Sequence, residues 1–149
     1  MRRYSAFGNG AAAASPGRTV LEVVAATTTR GRIYDVIIGS DGTPADSAFR
    51  IKIMRGSAAG TATAFTPTLL DGGDPAALLA SNANASAEPT ITANSELIDI
   101  ALNQRATFRW VAAPDGELVV PATANARVAT RVIHASSTVT FNVTEHWQE

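Results

Sequence analysis

The most regular pattern in the chain lies at its end. Val139, Phe141, Val143 and Trp147 alternate with Thr138, Thr140, Asn142, Thr144 and His146, and Glu145 alone interrupts the apolar series. A period of two is that of a strand with one face on a core and the other in water. Phe49, Ile51 and Ile53 alternate in the same way with Arg50, Lys52 and Met54. Shorter extended segments cover residues 19–24, 32–38, 61–70, 90–92, 97–102, 105–112, 117–120 and 126–134. Turn clusters such as Gly39-Ser40-Asp41-Gly42-Thr43-Pro44 and Pro114-Asp115-Gly116 separate them. Pro67 marks residues 61–70 as an edge strand.

Little is left over for helix. Asp74 as N-cap, followed by Pro75 at the first helical position, predicts one short helix over residues 76–80. Residues 81–88, made of Asn, Ala and Ser with a final Glu, read as an exposed loop. Residues 1–17 show no period and little bulk, and they predict an extended N-terminal arm whose large anchors are Arg2, Tyr4 and Phe7. Residues 18–149 then form one domain. Eight to ten short strands predict an all-β fold, an antiparallel two-sheet β-sandwich of jelly-roll-like kind.

Composition sharpens this picture. Ala is the commonest residue at twenty-nine positions, and seventeen Thr with eleven Val and nine Ile outweigh eight Leu. That mixture suits narrow β-branched strands rather than a helical bundle. Twelve basic and thirteen acidic residues nearly cancel, which gives no footprint for nucleic acid or an anionic membrane. Eleven of the twelve basic residues are Arg and one is Lys52. Codon bias accounts for such an excess, and so does selection for protein contacts, where Arg is enriched and Lys depleted. No stretch has the apolar length of a membrane span or a signal peptide, so a soluble protein is expected.

Candidate chemistry is sparse. The absence of cysteine excludes disulfides, thiolate metal sites and cysteine nucleophiles. His134 and His146 fall on predicted strands with no partner motif beside them. Neither a Gly-x-Ser-x-Gly elbow nor a phosphate-binding Gly-Lys-Ser/Thr loop occurs. Asp71-Gly72-Gly73-Asp74 lacks the further carboxylates of a calcium loop and reads as a turn before a helix cap. Phe108 with Trp110, and Phe141 with Trp147, share strand faces and read as sandwich core, the functional reading being a sugar-stacking platform. No catalytic, cofactor or metal residue is predicted.

The segments Tyr4-Ser5-Ala6-Phe7, residues 49–56, residues 65–77 and residues 117–120 through 138–143, with the terminal Glu149, resemble a family of small β-rich phage and prophage proteins. Some of its members are capsid decoration, or cement, proteins of tailed phages. The resemblance covers most of the chain in order, but its motifs are structural patterns, and residues 81–88 depart from it in being poor in Thr. It implies a jelly-roll-like sandwich, a homotrimer on the outer surface of an icosahedral head, the major capsid protein as partner, and no enzymatic activity. Arg2, Arg3, Tyr4 and Phe7 are the expected contacts with capsid or neighbouring protomer. The rival expectations are a carbohydrate-binding or receptor-binding module of a phage tail or spike, using Trp110 or Trp147, and a small hydrolase assembled from distant side chains.

Overall fold

The computed structural model describes residues 1–136 and 139–149. Thr138, at which the alternation of the last strand begins, lies outside the described residues. Among the described residues twelve strands form two antiparallel sheets packed face to face, and none is helical. The first sheet has the order β10-β3-β12-β1-β6, with β9 also on β3. It is built from β1 (Arg3–Ala11), β3 (Gly31–Asp41), β6 (Thr68–Leu69), β9 (Phe108–Val111), β10 (Leu118–Val120) and β12 (Thr140–Gln148). The second has the order β5-β7-β2-β11-β4-β8. Its strands are β2 (Arg18–Val24), β4 (Ala48–Ala58), β5 (Thr61–Phe65), β7 (Ala80–Ala87), β8 (Thr90–Asn103) and β11 (Arg127–Ile133). The all-β sandwich is therefore as the alternation predicts.

The core lies where the two apolar faces meet. Tyr4, Ile33, Val36, Phe141 and Trp147 from the first sheet are buried against Leu21, Ile51, Ile53, Val128 and Val132 from the second. Phe49 and Phe141 stack across the gap with ring centroids 4.3 Å apart. Each large side chain buried in this way contributes roughly 1.5–3 kcal/mol by leaving water. Phe108 and Trp110 pack at the margin of this core, half-buried, as their shared face predicts.

The expected arm is not an arm. Residues 3–11 are β1, paired along their whole length with β12 from Arg3↔Gln148 to Ala11↔Thr140. Little bulk is needed on this strand because it runs close to β2. A Cβ at Gly8 would lie 2.3 Å from the Val20 carbonyl oxygen. The domain thus begins at the first strand rather than at residue 18.

The expected helix over residues 76–80 is likewise absent. Three contacts hold this segment out of a helix. The Tyr4 hydroxyl donates to the Pro75 carbonyl at 3.0 Å. The Glu149 carboxylate accepts the N–H groups of Leu78 and Leu79 at 3.0 and 2.9 Å. Leu79 is buried, packed against Gly31.

The segment read as a loop, residues 81–88, forms most of β7. Residues 61–70 divide between sheets, β5 in the second and β6 in the first, with Pro67 in the break. The β4–β8 pairing reaches Ala58↔Thr90 and the β5–β7 pairing starts at Thr61↔Ala87, so both belong to one long ribbon. Strands β2 and β11 lie between β7 and β4 in the sheet, and the ribbon therefore arches over the outward face of both.

Candidate functional site

Two polar regions stand out, one closed and one open. The closed one lies beneath the arching ribbon. Glu22, Arg127, Thr19 and Arg131 occupy the face of the second sheet turned away from the first, yet all are buried. Arg127 Nη1 donates to Glu22 Oε1 at 3.0 Å, and Asn82 Nδ2 donates to the same oxygen at 2.8 Å. Glu88, at the bend of the ribbon, accepts the Thr19 N–H and hydroxyl and pairs with Arg131 Nη2 at 3.1 Å. A buried charge without its partner is strongly disfavoured, so these ion pairs fix where the ribbon sits. They are structural.

The open region is the outer face of the first sheet. Alternation on β1 and β12 turns Arg3, Ser5, Phe7 and Asn9 outward beside Gln148, His146, Thr144 and Asn142. Three of the four residues expected to make contacts are exposed here or at its edge: Arg2, Arg3 and Phe7. Tyr4 is a correction. Its side chain points inward, fully buried, with its ring 5.9 Å from that of Trp147. A residue so enclosed cannot touch a partner.

Phe7 is 56% exposed, unusual for an aromatic on a regular strand. Its ring meets Phe65 edge-on, with centroids 4.6 Å apart and planes at 73°. The geometry of an aromatic pair fixes the rotamer of a side chain that water would otherwise leave mobile. Shallow depressions flank the face. One of about 300 Å³ is lined by Met1, Arg3, Tyr34, Leu70, Asp71 and Asp74.

Further across the same face, Asp35 on β3 joins two neighbours. Arg109 on β9 donates to both of its carboxylate oxygens, at 3.0 and 2.8 Å. His146 on β12 donates through Nδ1 to Oδ2 at 3.2 Å. The Arg109 hydrogen bonds, opposed by burial and assisted by His146, hold the Asp35 carboxyl below its ordinary pKa. Burial pushes the neighbouring Tyr34 phenol upward. His146 thus has the partner its sequence surroundings do not reveal, because 111 residues separate it from Asp35.

Ser5, His146 and Asp35 are successive cross-strand neighbours on this face. The row has the residue types of a nucleophilic triad, but Arg109 already neutralises the carboxylate that would stabilise an imidazolium. His134, the other histidine, accepts the Ser136 N–H at Nδ1 and lies 3.5 Å from the Ser47 hydroxyl. Trp147 is fully buried and cannot serve as a stacking platform. Among the described residues no three His, Asp or Glu side chains group to hold a metal ion.

Comparison with protein-family models, with curated proteins and with solved structures finds no match to this chain.

Proposed function

We propose that this protein is a structural component of a tailed-phage virion, a decoration or cement protein that binds the major capsid protein on the outside of the icosahedral head as a homotrimer. The observation that carries the reading is Phe7, more than half exposed, braced by Phe65 and ringed by Ser5, Asn9, Asn142 and Thr144. An aromatic anchor surrounded by short polar groups matches the anatomy of a protein interface, with an apolar centre and a hydrogen-bonding rim. The paired β backbone beneath it loses little conformational freedom on docking, which removes one of the main costs of association. The trimer and the position on the head come from the family resemblance.

The test compares wild type with Phe7→Ser for co-sedimentation with heads of the phage that carries the gene, and native mass spectrometry over a concentration series measures self-association. Wild type sediments with heads and is a trimer at high concentration. Phe7→Ser keeps the melting temperature within a few degrees and loses at least about tenfold in affinity, the scale of a hot-spot truncation. Equal binding by the two proteins would overturn the role of this face. A strict monomer that never sediments with heads would overturn the reading itself.

A further inference from the structure

Glu145 is the one charged-type residue on the inward face of β12, between Val143 and Trp147, and it has no solvent exposure. Its Oε1 accepts the hydroxyl of Thr130, which belongs to β11 in the opposite sheet. Its Oε2 is buried with no hydrogen-bond partner among the described residues. From this geometry we propose that Glu145 is a proton-operated latch between the sheets, closed while its carboxyl is neutral and loosened when it ionises.

The surroundings leave the charged form unsupported. Within the first sheet its cross-strand neighbours are Ala6 on β1 and Val36 on β3. Opposite it, Thr130 is flanked by Leu21 on β2 and Ile53 on β4. Three titratable groups on facing strands share these inner faces: Arg18 on β2 lies opposite Val132, with its stem against Gly10, and the other two are occupied elsewhere. Tyr4 on β1 donates to the Pro75 carbonyl, and Arg55 on β4 donates to the Val119 carbonyl at 2.7 Å. Glu22 on β2 and Lys52 on β4 stand on the other side of the second sheet. A carboxylate stripped of water with one hydroxyl for company is far less stable than the acid. Burial, only partly opposed by the Thr130 hydrogen bond, raises the Glu145 pKa from 4.5 to about 7.

The direction of the pH effect follows. The folded state keeps the proton to higher pH than the unfolded chain, so folding is most favourable below the unfolded pKa of 4.5 and weakens as pH rises to about 7. Above that value both states are ionised and the loss is complete. Tenfold per unit of displacement makes the total change in the unfolding constant about 300-fold.

The experiment measures urea unfolding of wild type and Glu145→Gln from about pH 4 to about pH 8, where the amide is a neutral isostere throughout. Taking the ratio of the two unfolding constants removes contributions from groups common to both proteins. A ratio of wild type to variant that rises by about two orders of magnitude over this range supports the latch. A ratio that stays flat overturns it. Should the variant fail to fold, infrared spectroscopy of wild type carrying isotopically labelled Glu decides. One protonated carboxyl persisting near pH 6 supports the proposal, and its absence overturns it.

Discussion

Arg127 Nη1 lies 3.0 Å from Glu22 Oε1, and both side chains are almost wholly withdrawn from water on the outward face of a sheet. The arching ribbon explains how. It brings Gly56 against the Arg127 stem and Asn82 against the Glu22 carboxylate, so the pair is enclosed on a side where solvent is expected. Arg127→Ala should lower stability by about 3–5 kcal/mol, because it leaves an uncompensated buried carboxylate. Arg127→Met combined with Glu22→Gln should cost less than Arg127→Ala alone. Urea denaturation of the three proteins checks this order.

Gly60 stands where the ribbon turns from the second sheet's one edge toward its other. A Cβ there would fall 2.1 Å from the Ala87 carbonyl oxygen and 2.6 Å from backbone atoms of Glu88 and Pro89. Backbone cannot swing aside as a side chain can. Gly60→Ala should therefore destabilise by about 3 kcal/mol, whereas Gly72→Ala, with open space around it, should change stability by about 0.5 kcal/mol or less. Thermal melts of both variants test the contrast.

Tyr4 ties the segment around Pro75 to the core. Tyr4→Phe keeps the ring and removes the 3.0 Å hydrogen bond, for an expected loss of about 1 kcal/mol. Faster amide exchange should appear in residues 76–79 and not in β11. Tyr4→Ala should cost about 3–5 kcal/mol through the cavity left beside Trp147.

Asp35 gives a pH signature opposite to that of Glu145. Its folded pKa is depressed below 3.8, so its contribution is complete above that value and is lost as pH falls through the folded pKa. Arg109 is 61% exposed, which screens the pair, and Asp35→Asn should cost about 1 kcal/mol at neutral pH. The difference between wild type and variant should vanish in strong acid. Denaturation at neutral and acid pH measures it.

The sandwich was legible because its central strands carry regular alternation. On β12 the pattern even exposes its own exception, Glu145, although nothing local shows that Thr130 waits on the other sheet. Strands β1 and β7 were illegible for a physical reason. Gly8, Gly10 and the Asn/Ala/Ser run of residues 81–87 have weak strand propensity, and their pairing rests on close packing against β12 and β2. The helix signal at Asp74-Pro75 was local and real, but Tyr4 and Glu149, both distant in sequence, override it. Of the proposed contact residues, alternation on an unrecognised strand separates inward Tyr4 from outward Arg3 and Phe7. The Asp35–His146–Arg109 cluster spans three strands and leaves no local trace.

The proposed contact between the outer face of the first sheet and a capsid is open to direct observation. Cryo-electron microscopy of phage heads saturated with the purified protein tests it most directly. Added density is expected on the outside of the head, with Phe7 and the β1–β12 face directed at the major capsid protein. Heads with no added density, or density in which the arching ribbon of the second sheet makes the contact, would contradict it.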